Sequence, residues 1–313
     1  MEYLTIDGAT GEGGGQVLRT SLTLSALLGK PVKITNIRAG RQQPGLKRQH
    51  LTAIRALAKI TDAEVVGASE GSQTVEFAPK KIRSGVFTFD IGSAGATMLV
   101  FQAVLPVLLS AEKESNVKLV GGTHVPFAPT FDYVKNVFLL TLGVPVELDM
   151  EKAGYYPQGG GIVEAGIEPF DLGKLRFNIS EKKGPLKAIV AISNLPDGVD
   201  KRERQALINC GVNEVHIERA KSLSAGNAIL VYTENIGASN LGKIGYKAED
   251  VAKDCAETFE KYCANNANVD PHLADQLLIY KYLSKSDIDL NPVEKTKHYE
   301  TNESVIKLFL ESC

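Results

Sequence analysis

Apolar and polar positions recur along this chain with two different periods, and the changes of period mark its elements. Residues 17–28, VLRTSLTLSALL, repeat at helical spacing, and VKITNI (32–37) then alternates as a strand. LKRQHLTAIRALAKI (46–60) carries a one-sided apolar stripe and reads as a second helix, with TVEFAP following as a strand. The succession then repeats. DIGSAGATMLVFQAVLPVLLSAEKESNVKLVGG, from Asp90, lies over DGATGEGGGQVLRTSLTLSALLGKPVKITNIRAG, from Asp7. In each, an Asp opens a Gly/Ala/Ser-rich turn before an apolar helix and a strand. A further helix (APTFDYVKNVFLLTLG, 128–143, in the second copy) and strands such as VPVELDM complete an α+β unit of about 80 residues.

A third copy begins with HLADQLLIYKYL (272–283) and TNESVIKLFLES (301–312), for which Thr301 is the expected N-cap; no strands follow it. Between the second and third copies, residues 183–266 differ in character. LKAIVAIS (186–193) reads as a strand, Asp200 as the cap of a helix through KRERQALIN, and VHIERA and AILVYTEN as strands. A last helix carries Val251, Cys255, Phe259 and Cys263 at intervals of four, which assigns both cysteines to a packed stripe. The expected architecture is therefore two-domain α+β. Residues 1–182 plus 267–313 form a large domain of repeated βαβαββ-type units, and 183–266 form a small βαββα domain inserted in the third repeat.

Composition narrows the function classes. With 313 residues, 43% apolar and 23% charged, the chain has room for two packed domains. Its start, MEYLTIDGAT, has no basic and apolar run of a secretory signal. Ile91 to Ala111 lacks charge but is broken by Gly92, Ser93, Gly95, Gln102 and Pro106, so a buried helix is expected rather than a membrane span. Cys210, Cys255, Cys263 and Cys313 show no CxxC spacing, which suggests reduced thiols in a cytoplasmic protein. A net charge of −2 excludes a bulk polyanion binder, yet residues 13–60 hold nine Lys/Arg and no acid. Such a stretch focuses potential towards an anionic ligand. Lys47, Arg55 and Lys59 read equally as a solvated helical face. Arg38 and Arg41 flank Gly40 in a loop, where side chains are free to converge on phosphate.

The densest chemistry lies in DGATGEGGGQVLRT (7–20). Gly8 and Gly13 have the P-loop separation, but glycines stand where Lys and Ser/Thr should follow; Gly11 and Gly13 begin a dinucleotide pattern whose third glycine is replaced by Gln16. A phosphate site at a helix N-terminus and a tight turn both fit.

Taken together, DGATGEGGGQVLR (7–19), IRAGRQQPGLKRQHL (37–51), IGSAGATMLVFQ (91–102), GYYPQGGG (154–161), HLADQL (272–277) and HYETN (298–302) resemble the RNA 3′-terminal phosphate cyclases. The likeness covers nearly the whole chain, in family order. It implies three βαβαββ-type repeats similar to the C-terminal domain of a bacterial translation initiation factor, with a small domain inserted in the third. It implies an enzyme that turns an RNA 3′-phosphate into a 2′,3′-cyclic phosphodiester using ATP and Mg²⁺ or Mn²⁺. On this resemblance His298 is the nucleophile that carries AMP, and Glu12 meets the metal. Gln16, Gln102, His272, Leu273, Ala274, Asp275 and Gln276, with Glu12, bind the nucleotide. Asp275 and Gln276 are expected to make polar contacts, and Leu273 and Ala274 to act through backbone or packing. Arg19, Arg38 and Arg41 neutralise the triphosphate or the RNA end. The implied partners are ATP and RNA ending in a 3′-phosphate, with no membrane and a monomer or homodimer.

Other residues keep two readings. His50 lines the cleft or packs; His216 reads as a strand surface residue; His124 stands where the family carries a short polar residue. Tyr155, Tyr156 and Gly159 to Gly161 either stack a terminal base or form an ordinary hairpin. A non-catalytic, RNA-binding relative would lack His298, and an enolpyruvyl transferase would lack HYETN.

Overall fold

A computed structural model describes residues 2–179 and 184–312, and the domain division expected at 182/183 falls outside the described residues. The first sheet contains β1 (Leu4–Asp7), β2 (Val32–Thr35), β3 (Glu64–Val66) and β4 (Val75–Ala78) in the order β1-β2-β4-β3. Helix α1 (Gly15–Leu28) connects β1 to its parallel neighbour β2, and α2 (Arg48–Thr61) leads to the antiparallel β3 and β4. The second sheet repeats this arrangement. It contains β5 (Val86–Asp90), β6 (Ser115–Gly121), β7 (Val146–Lys152) and β8 (Gly161–Ile167) in the order β5-β6-β8-β7, again with only the first pair parallel. Its helices are α3 (Thr97–Leu109) and α4, a continuous helical stretch over 131–142 with a π turn at Val134–Phe138.

Helix α3 shows why the uncharged stretch packs instead of spanning lipid. It is 13 residues long, and all of it is buried except Leu99 and Gln102. Among the described residues no helix is long and apolar enough to cross a membrane.

The third sheet has the order β10-β9-β11-β12, formed by β9 (Lys187–Ser193), β10 (Glu214–Arg219), β11 (Gly226–Tyr232) and β12 (Gly237–Leu241). Helices α5 (Val199–Asn209) and α6 (Ala248–Tyr262) cover it around a separate core that includes Val190, Leu207, Val251, Cys255 and Phe259. Two expectations are corrected here. The segment adds a strand, β12, to the expected βαββα. Asp200 does not cap α5: Gly198 holds that position with φ 86°, while Asp200 is buried in an ion pair with Arg219.

Helices α7 (Pro271–Ser284) and α8 (Lys297–Glu311) return to the main core, where α8 packs on both α7 and α1. Thr301 is not the cap of α8. Thr296 is, accepting from the Tyr299 amide at 3.1 Å, while the Thr301 hydroxyl bonds back to the Lys297 carbonyl at 2.6 Å inside the helix. HYETN therefore forms the first turns of α8. His298 and Asn302 stand four residues apart on one face.

Candidate active site

Helix α7 starts at Asp270, whose buried carboxylate accepts the His272 and Leu273 amides at 2.9 Å each, with Pro271 at the first helical position. The same carboxylate accepts from the Tyr133 hydroxyl at 2.9 Å and the Gly237 amide at 3.0 Å, so one cap ties α4 and β12 to α7. From that start His272, Asp275, Gln276 and Ile279 follow at i, i+3, i+4 and i+7, one helical face. They line a cavity of about 480 Å³, within the range of small-molecule sites. Gln16, Arg19, Thr20 and Thr23 of α1, Leu99 and Gln102 of α3, Tyr262, and His298 and Asn302 of α8 supply other walls. Phe127, Ala128 and Pro129 supply a loop at the border.

One chain of hydrogen bonds crosses the floor. Asn302 Nδ2 donates to Asp275 Oδ1 at 2.9 Å, and Gln16 Nε2 donates to the same oxygen at 2.5 Å. That fixes the Gln16 amide with Oε1 towards His298 Nδ1, 2.7 Å away. An amide oxygen only accepts, so the hydrogen of this contact sits on Nδ1. His298 Nε2 lies 2.7 Å from Glu12 Oε2, and Arg41 donates to the Glu12 carbonyl at 2.9 Å. Beyond the floor, Thr20 bonds Asn302 at 2.6 Å, and Gln102 Nε2 donates to Gln276 Oε1 at 2.7 Å.

Burial shifts the charged groups that line the cavity. Burial lowers the Arg19 guanidinium to about 10, against the pull of Asp275, which leaves it cationic at neutral pH. Asp275 is raised above the ordinary Asp value by its burial, although His298 and its donors act the other way. His50 is buried and lowered to about 3, first by desolvation and then by Arg19, Arg38 and Lys47. Its Nδ1 accepts the Lys47 amide at 3.0 Å, so it packs as a neutral ring at the start of α2.

Eight of the expected residues meet here: Glu12, Gln16, Arg19, Gln102, His272, Asp275, Gln276 and His298, with Arg41 joined to Glu12. Leu273 and Ala274 lie on the opposite, fully buried face of α7. Arg38 is directed elsewhere. It is buried, and its Nη1 donates at 2.7 Å to the carbonyls of both Gln43 and Gly45, clamping its own loop. His124 is buried against Asp132, 2.9 Å away, and stacks on Tyr155. Tyr155 is itself a core residue, and Gly159 is where a Cβ would come within 2.7 Å of the Ala94 backbone. His216 is a surface position on β10. Motif reading alone did not select Asn302, Thr20, Tyr262 or Asp270. Asn302 had a signal in its position four residues after His298; Asp270 had one in its position before Pro271.

A family model described as RNA 3′-terminal phosphate cyclase matches residues 10–312. The chain belongs to the RNA 3′-terminal phosphate cyclase family. Relatives with that name agree over nearly the full length. One from Pyrobaculum neutrophilum is 41% identical over 97% of this chain and 92% of its own. One from Archaeoglobus fulgidus is 40% identical, covering 98% and 95%, and a Koribacter versatilis protein is 38% identical, covering 99% and 90%. Within this cyclase-family chain, the described residues contain no group of three or more His, Cys, Asp or Glu suited to hold a metal. A cation carried by a nucleotide needs less: Mg²⁺ is bound by one or two carboxylates plus substrate phosphates and waters. Glu12 offers one such carboxylate, 2.7 Å from His298 Nε2 and 3.8 Å from Arg41 Nη2.

Proposed function

We propose that this cyclase activates the 3′-phosphate of RNA with ATP through a covalent AMP on His298. The observation that carries the proposal is His298 itself, held between Gln16 and Glu12 on the wall of a cavity large enough for a nucleotide. Asp275 orients Gln16, Gln16 keeps the hydrogen on Nδ1, and Nε2 is left as the nitrogen that attacks. In the free protein Nε2 lies 2.7 Å from Glu12 Oε2, so Glu12 and the attacking nitrogen share one side of the cavity. A divalent cation arriving with the triphosphate would supply charge neutralisation for the leaving pyrophosphate, with Glu12 as its protein ligand. Arg19 and Arg41 add fixed positive charge along the same path.

In the first transfer, Nε2 forms a bond to the α-phosphorus as the bond to pyrophosphate breaks. An oxygen of the RNA 3′-phosphate then takes the AMP from His298. The neighbouring 2′-hydroxyl, losing its proton, closes on the activated 3′-phosphorus and AMP departs. That last step is intramolecular, so held geometry provides much of its rate. Gln102, Gln276 and His272 would contact the nucleotide.

The two sheets of identical order support reading residues 1–182 plus 267–313 as a repeat-built catalytic domain, with α7 and α8 as the helices of a third unit. Residues 183–266 would then be the inserted domain. A cytoplasmic setting, as monomer or homodimer, fits this reading.

The test is to incubate the protein with ATP labelled at the α-phosphate and Mg²⁺ or Mn²⁺. Acid-labile, base-stable label is expected on the chain and is expected to vanish in His298→Ala. Label that persists in the variant moves the nucleophile elsewhere; a wild-type chain without label favours an RNA-binding scaffold.

A further inference from the structure

Phe127 combines two unfavourable features. The residue is fully exposed, at 102% of its reference area, and its backbone lies in the left-handed region at φ 64°. Glycine would avoid both costs, since it has no Cβ to strain and no ring to hydrate. A strained conformation persists where the surroundings impose it, and it often marks a working position. Phe127 borders the cavity described above.

The loop around it is stiff. Pro126 and Pro129 flank it, and Thr130 caps α4, accepting the Tyr133 amide at 3.3 Å. Tyr133 in turn donates to Asp270, the residue that starts α7. The segment that follows Phe127 is thus anchored at the start of α7, the helix whose face carries His272, Gln276 and Ile279. The cavity's polar floor is already committed through Gln16, Asp275, His298 and Asn302. Phe127, Pro129, Tyr262 and Ile279 remain as apolar and aromatic walls. Walls of that kind suit the flat face of a nucleobase, whose stacking on an aromatic ring is favourable without hydrogen bonds.

We propose that Phe127 stacks on the adenine of the bound nucleotide and closes the open side of the cavity over it. This rests on the ATP reading of the site. It adds a specificity-determining contact from a loop that carries none of the reacting groups. The ring contacts only the base, so it acts on nucleotide affinity and leaves the chemistry at His298 unchanged.

The chain contains no tryptophan, so Phe127→Trp places a single indole at the site. An ATP analogue with a methylene bridge between the α- and β-phosphorus, which cannot transfer AMP, should quench its emission saturably. Phe127→Gly relieves the backbone, so its thermal midpoint should hold or rise. Its KM for ATP in adenylylation should increase on the order of tenfold, with kcat unchanged. An indole unaffected by the analogue, or an unchanged KM in Phe127→Gly, overturns the proposal. Quenching by a short RNA 3′-phosphate but not by the analogue also overturns it and assigns the ring to the RNA's terminal base. The two readings fail separately. Normal labelling of His298 without quenching removes Phe127 alone, whereas quenching without labelling removes the covalent mechanism alone.

Discussion

Replacing Asp275 with Asn removes one negative charge and leaves the volume of the side chain nearly intact. In the wild type Asp275 Oδ1 receives two amide donors, Gln16 at 2.5 Å and Asn302 at 2.9 Å. Hydrogen bonds to charged groups contribute about 1.5–3 kcal/mol and neutral ones about 0.5–1.5. Neutralising the acceptor therefore weakens the pair by roughly 2–3 kcal/mol in total. Gln16's share of that, roughly 1–1.5 kcal/mol, is what holds its oxygen towards His298. Without it the amide turns, offers Nε2–H to Nδ1, and drives the imidazole hydrogen onto the nitrogen that must attack. A loss of roughly 1–1.5 kcal/mol corresponds to roughly five- to tenfold slower adenylylation. Stability should change little. Asp275 is raised by its burial, so removing the charge recovers desolvation energy that offsets the weaker bonds. The assay is single-turnover adenylylation at saturating ATP, with the thermal midpoint measured alongside. Adding Gln16→Glu to Asp275→Asn should restore part of the rate. The carboxylate introduced on α1 then accepts both from the amide introduced on α7 and from His298 Nδ1. Asp275→Asn adenylylating within threefold of wild type, or no recovery in a folded double variant, refutes the orientation argument.

Glu203 gives a pH prediction remote from the site. It is buried, one oxygen has no partner and the other accepts from Asn227; desolvation raises it to about 7. Between its unfolded value and 7 the native state binds the extra proton, so stability rises as pH falls through 7 and levels off near the unfolded value, about 4.5. Glu203→Gln should raise the thermal midpoint at pH 8, leave it unchanged near pH 5, and flatten the profile; an equal shift at both values contradicts the assignment. At Gly11, φ is 60° and a Cβ would stand 2.0 Å from Thr301 Oγ1 on α8. Gly11→Ala should displace the loop carrying Glu12 and reduce adenylylation at least tenfold, from strain alone worth about 1–3 kcal/mol; an unaltered rate means the loop adapts without moving Glu12.

The resemblance between the first two units was legible because the pattern is written twice in the chain, once for each sheet: a Gly-rich turn, an apolar helix, then alternating strands. Strand β12 was not legible, because GASNL has no apolar alternation. It is held by its antiparallel backbone ladder to β11 and covered by α6, and neither leaves a mark in residue type. The cap of α8 was misplaced for a related reason. Both Thr296 and Thr301 suit a cap chemically, and only the surrounding backbone decides which hydroxyl meets a free amide. That decision matters for function, because it turns His298 from a residue before a helix into one held in its first turn opposite Asp275.

Arg38 and Arg41 show where residue type stops being informative. They flank the same glycine and carry the same phosphate chemistry, so sequence treats them alike. A positive φ of 55° at Arg38 accompanies a guanidinium bonded to the carbonyls of Gln43 and Gly45, while Arg41 reaches Glu12. The first arginine fixes the loop's shape, and that shape presents the second to the site. The same division separates Asp270 from Asp275 at the start of α7: the first commits its carboxylate to four donors that join α4, β12 and the helix start. The second is then free to orient Gln16. Candidate chemistry is written in residue identity, but which member of each pair builds and which one acts follows from where the backbone leaves donors unsatisfied.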